Sequence, residues 1–212
     1  MKKDHLISLV VVIITSVLIF IVTRDFFLDF AGEYKVLGGF TKFFFLASVG
    51  DFIALRIKSK EWKIPNYILL KALIWGLIGV AIVLMFVIYP LGVEALQVKN
   101  ILPFEGNTVF FALFVSVIMN FTFAPTMMAF HRVSDTFLNM RVENKKTTVN
   151  DAISNINWVQ FINFTIFKSI PLFWIPAHTI TFLLPEEFRI IFAAILGIFL
   201  GLLLGLFGNR KK

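Results

Sequence analysis

"NYILLKALIWGLIGVAIVLMFVIY", residues 66–89, decides the fold class. Its one charge, Lys71, lies near its start, and Pro90 follows its end. At about 1.5 Å of rise per residue, a helix of this length crosses the roughly 30 Å of hydrocarbon in a bilayer. A helix that is apolar all round belongs in a large core or in a membrane. Similar runs cover Leu6–Thr23, Val36–Ile57, Thr108–Phe130 and Phe188–Phe207, and the second of these carries Lys42 and Asp51. The chain of 212 residues is 58% hydrophobic and 16% charged, with 27 Phe and a mean hydropathy of +0.88, so its apolar content far exceeds what a soluble core of this size needs. The expectation is an all-α, polytopic integral membrane bundle forming one domain over 1–212. Leu6–Thr23 starts like a signal peptide, but Arg24 and Asp25 follow it without a small-residue cleavage site. It therefore reads as an uncleaved first span.

The stretch Thr147–Pro185 is too long for one span and is cut by Pro171 and Pro176. Proline removes a helical donor and kinks or ends a helix. The expected split is an interfacial or broken helix over Val149–Asn163, then a span over Phe164–Leu184. Proline is also expected to end the third span at Tyr89. That makes six spans, and the basic residues give a test. Lys2, Lys3, Arg56, Lys58, Lys60, Lys63, Arg132, Arg141, Lys145, Lys146, Arg210, Lys211 and Lys212 fall on one side, thirteen against the four of Arg24, Lys35, Lys99 and Arg189. The positive-inside rule then puts both termini in the cytoplasm. The formal net charge of +7 is in this reading a topology signal, with no nucleic acid as partner. The expected address is a cell inner (plasma) membrane, multi-pass, ahead of a mitochondrial inner membrane.

Chemistry is sparse. The chain has no cysteine, which excludes disulfides and thiolate nucleophiles. No metalloprotease, nucleophile-elbow, phosphate-loop or dinucleotide motif occurs, so no enzyme, cofactor or metal site is expected. "FTFAPTMMAFHRVSDTFL" (121–138) carries His131 and Asp135 four apart on one helix face, with Arg132 between them. One His and one carboxylate fall short of a zinc site. His131, Arg132 and Asp135 are expected to form the cytoplasmic mouth of a solute path, with Asp135 holding Arg132 across one turn; the bland alternative is a cap at the headgroups. Pro125 is expected to bend the helix just before this cluster. Asp51, Lys71, Asn120 and Lys168, from four segments, fall in the cytoplasmic half of the membrane. Charges there are costly and pair or face water, although Lys71 and Lys168 can also snorkel. These residues with His131, Arg132 and Asp135 form the candidate polar cluster, in which Asp51 is expected to pair with Lys71 or Arg132. Gly197, Gly201 and Gly205 recur every four residues, a face suited to close helix approach and to a homo-oligomer contact. Trp62, Trp174 and Tyr89 are expected at the membrane interfaces.

"APTMMAFHRVSD" (124–135) resembles the signature G-P-x-x-H-x-W-Y-[KR]-x-L-D of the family of the twenty-two-kilodalton peroxisomal membrane protein and its mitochondrial inner-membrane relatives. Pro125, Arg132 and Asp135 match, Phe130 stands for the Trp, and Ala124, Met128 and His131 depart from it. Thr41 through Gly50-Asp51 resembles the family's first helix. "WIPAHTITFLLPEEFR" (174–189) resembles a later motif through Trp174, Phe182, Pro185 and Arg189, with His178 and Thr181 at its Gln and Asn places and one gap. The family's Trp-Asn pair of the last helix is absent. The resemblance is that of a distant relative of bacterial type. It implies a helical membrane protein that conducts or regulates small metabolites, without catalysis.

The leading functional expectation is a passive or gated pathway for small, anionic solutes, with the lipid bilayer and such a solute as partners. A structural or quality-control membrane protein is the alternative. A substrate-binding subunit of a multi-subunit importer is a second.

Overall fold

The computed structural model describes residues 33–143 and 146–207, and it is helical with no strand among them. The helices are α1 (Lys35–Ser59), α2 (Ile68–Val98), α3 (Thr108–Thr122), α4 (Ala124–Glu143), α5 (Val149–Asn155) and α6 (Trp158–Gln160). A π-helical stretch, π1 (Phe161–Trp174), leads into α7 (Ile175–Leu183), and α8 (Glu186–Phe207) follows. The main pairings are α1 with α2 and α8, α3 with α2 and α7, and α4 with α5. Their shared core holds Phe43, Ile78, Ile82, Phe86, Val115, Met119, Phe182 and Ala193. Large apolar side chains such as Leu69, Leu77 and Leu172 stay exposed, 70%, 60% and 78%, as suits a surface against lipid.

Among the described residues two helical segments are long and apolar enough to cross a membrane, Ile68–Val98 and the continuous rod Trp158–Leu183. A third is present if Thr108–Thr122 and Ala124–Glu143, bent by 44° at their junction, count as one span. Two or three spans are thus found where six were expected. Leu6–Thr23 lies outside the described residues. Helices α1 and α8 cover the expected second and last spans but do not join that set.

The prolines account for the other departures. Helix α2 runs through Pro90 to Val98 instead of ending at Tyr89. Val93, less than a turn past the proline, is 1% exposed in the core, so packing holds a helix that proline alone would end. In the expected fourth span, α3 stops at Thr122 and Pro125 takes the first turn of α4, where its missing N–H is no loss. The bend there was expected; the length of α4 was not. It carries the polar stretch as helix to Glu143. The split in 147–185 falls at Ile156 and Asn157, earlier than the expected Asn163. The side chain of Asn157 accepts from Gln160 N–H and starts the new helix. Across Pro171 the chain is in π register, with the Ile175 N–H reaching Ile170 O. The π stretch begins at Phe161, ten residues before the proline, and continues past it, so Pro171 does not end the helix.

Helices α1 and α2 meet through glycine. A Cβ on Gly79 would lie 2.7 Å from Gly39 O and from Phe43 Cβ, and one on Gly76 would strike the Phe40 ring. Close approach is thus built on Gly39, Gly76 and Gly79. The surroundings of Gly197, Gly201 and Gly205 lie outside the described residues.

Candidate polar site

Polar groups occur at three depths along the bundle. At the start of α2, Lys71 Nζ lies 2.8 Å from Asp135 Oδ1 on α4, and both side chains are largely shielded, at 17% and 34% exposure. Lys71 also donates to Asn139 Oδ1 at 3.3 Å, and Asn139 Nδ2 donates to Asp135 Oδ2 at 3.1 Å. One turn inward, the His131 ring packs against Trp75 of α2, with centroids 4.3 Å apart and planes tilted by 44°. The spacing of His131, Asp135 and Asn139 puts all three on one face of α4, and that face meets Lys71 and Trp75, themselves four apart on α2.

At the second depth, Ser116 and Asn120 of α3 are fully buried. Asn120 Nδ2 donates to Ser116 O at 2.8 Å, and Ser116 Oγ donates to Ile175 O at 2.8 Å. His178 Nδ1 lies 3.0 Å from Asn120 Nδ2 and 3.1 Å from Oδ1. A bare Nδ1 accepts from the amide N–H, whereas a protonated one donates to the amide oxygen, so Asn120 serves either tautomer. The His178 ring stacks on Trp174 at 5.2 Å and meets the edge of Phe86 at 6.1 Å. The Trp174 indole N–H is buried without an acceptor among the described residues.

At the third depth, α1, α2 and α8 enclose a half-open cavity of about 280 Å³. Lys35, Lys42, Glu186, Glu187 and Arg189 supply its charges, and Val83, Phe86, Val87 and Ile190 its apolar walls. Phe86 is shared with the second depth. Lys71 and Phe86 are about 22 Å apart along the α2 axis, so the charged pair and the cavity lie toward opposite ends of the bundle.

The sequence-derived cluster is therefore only partly assembled. Lys71, Asp135 and His131 come together. Asp135 pairs with Lys71 and not with Arg132, which is exposed. Asn120 belongs to the deeper centre, and Lys168 is exposed on π1. The Asp51 side chain lies outside the described residues, so its expected pairing does too. Of the aromatics expected at the interfaces, Trp174 packs on His178, and Tyr89 Oη lies 2.6 Å from Thr122 Oγ1 between α2 and α3. Sequence reasoning missed Ser116, His178 and Trp174 as one centre, and Asn139 beside Asp135. The four-residue spacing of Ser116 and Asn120 was a usable signal; nothing local pointed from them to His178. Phe182, Pro185 and Arg189 form the α7–α8 corner, where the guanidinium donates to Leu184 O and Phe182 O and lies 5.7 Å above the Phe182 ring. Among the described residues no group of three or more His, Cys, Asp or Glu is placed to hold a metal ion.

No protein-family model, curated protein or solved structure matches this chain.

Proposed function

We propose that this chain is an integral membrane protein that forms a gated pathway for small, anionic solutes. The supporting observation is the Ser116–Asn120–His178 centre inside the bundle, which shares Phe86 with a charged cavity. Burying uncompensated polar groups in an apolar bundle is unfavourable, and the Trp174 N–H alone costs about 1–3 kcal/mol while unpaired. A polar solute or water passing this point would take that bond. The conformation described is a closed one, with Phe86 between cavity and centre, and opening requires the Asn120–His178 contact to loosen. The exposed Arg132 guanidinium beside the Lys71–Asp135 pair offers a planar fork to an incoming carboxylate or phosphate. The same proposal includes six spans, both termini cytoplasmic, in a cell inner membrane, on the strength of the basic-residue asymmetry. It agrees with what the family resemblance implies.

A second reading is favoured by the pairing of Lys71 with Asp135 and of Asn120 with His178: these bonds lock helices in a purely structural protein. Proteoliposomes loaded with small organic anions separate the two. Flux through wild-type protein that changes in Asn120→Leu/His178→Leu supports the pathway, and absence of flux from folded, inserted protein supports the lock.

A further inference from the structure

The third-depth cavity has an uneven balance of charge that selects a ligand class. Lys35 Nζ is 2.8 Å from Glu186 Oε1, so these two neutralise each other. Arg189 directs Nε and one terminal nitrogen at the carbonyls of Leu184 and Phe182, which orients it without neutralising it. Lys42 is half-buried, seven residues along α1 from Lys35, and has no ion pair or hydrogen bond among the described residues. Glu187 is the remaining carboxylate. Two cations therefore face one anion. The rest of the lining is apolar: Val83 and Val87, one turn apart on α2, Phe86 between them, and Ile190 opposite.

We propose that this cavity binds an amphiphilic monoanion, a carboxylate or phosphate head on a short apolar body. The head accepts from Lys42 Nζ, with the Arg189 charge behind it, and the body lies along Val83, Val87 and Ile190. A neutral ligand would leave the half-buried ammonium unpaired. A cation would meet the net positive field, and a small, highly charged anion would forfeit the apolar wall. Glu187 competes with the ligand for Lys42 and sets its affinity. The inference deepens the pathway reading by naming a solute class at one end of it, but binding is measured without flux, so either can fail alone. An anionic lipid and a free monocarboxylate share this chemistry.

The full chain in phosphatidylcholine nanodiscs is titrated calorimetrically with octanoate, octanol and octylammonium, with empty nanodiscs subtracted. Octanoate is expected to bind saturably and at least about tenfold more tightly than the other two, the usual worth of one charge-assisted bond. Lys42→Gln should remove that preference, Lys42→Arg should restore it, and Glu187→Gln should tighten octanoate binding. If phosphatidylglycerol in the disc displaces octanoate, the natural occupant is lipid; if it does not, the occupant is a free acid. Equal binding of octanoate and octanol, a preference for octylammonium, or unchanged octanoate affinity in folded Lys42→Gln would each overturn the proposal. The wild-type ligand series decides it even if Lys42→Gln does not fold. Binding without flux would leave this site standing and remove the pathway.

Discussion

Asn120 is held by two helices at once, its own through Ser116 and α7 through His178. Replacing it by leucine leaves the His178 ring without that partner in an apolar setting. Asn120→Leu should cost about 1–3 kcal/mol in unfolding measured in detergent micelles. Asn120→Leu/His178→Leu should recover most of the loss, because removing both partners leaves no orphan. The Lys71–Asp135 pair behaves differently, being at the bundle end and partly shielded. A double-mutant cycle on Lys71→Met and Asp135→Asn should give a coupling of about 0.5–3 kcal/mol. Arg132 is exposed and outside that pair. Arg132→Ala should therefore leave stability within about 0.5 kcal/mol of wild type. A change of flux in that variant would then report on solute entry rather than on folding.

Elements are joined here by glycine and by caps. The α1–α2 crossing has no room for a methyl group at Gly79, where backbone and the stem of Phe43 stand in the way. Gly79→Ala should destabilise by about 1–3 kcal/mol through overpacking. Gly92→Ala, on the same helix with nothing within 4 Å of the added carbon, should cost nothing; parallel unfolding curves give the comparison. Helix α5 depends on a capping box. The Asp151 carboxylate accepts from the Thr148 N–H and hydroxyl, each at 2.7 Å, which holds its pKa below the usual carboxylate range. A lowered folded value stabilises α5 above the unfolded carboxyl pKa of about 4, and the benefit disappears as pH falls through the folded value. Amide protection factors in α5, which correct for the intrinsic slowing of exchange in acid, should fall on acidification below about pH 4, and Thr148→Ala should flatten that dependence.

At the scale of the molecule, the distribution of charge makes the proposed orientation testable. In the six-span arrangement proposed above, thirteen basic residues against four would put both termini on the cytoplasmic side. A reporter active only outside the cytoplasm should stay silent when fused to the C-terminus and become active when fused within the Lys99–Asn107 connection. Two active or two silent fusions would remove the six-span arrangement, and the reverse pattern would overturn the cytoplasmic orientation of the termini. The α2–α3 connection tolerates such an insertion only beyond the bonds from Gln97 Nε2 to the carbonyls of Pro103 and Phe104, which pin its centre. A fusion after Glu105 respects them.

Helix content and the apolar class were legible in the sequence, because transfer of a run such as 66–89 from water to hydrocarbon depends on its own side chains and on nothing distant. The bend before the His131 cluster was legible for the same reason: Pro125 lacks a donor wherever it is placed. Proline was misleading at positions 90 and 171, where the outcome depends on neighbours. Val93 is buried beyond the first, and the π-helical stretch runs through the second. Partners were the least legible. Lys71 meets Asp135, and Asn120 meets His178, across 64 and 58 residues of sequence. Periodicity shows which residues share a face of one helix. Which faces then meet is set by helix crossings such as the glycine contact of α1 and α2. Tertiary packing alone therefore decided that Asp135 takes Lys71 instead of Arg132, and that Lys42 lines a cavity.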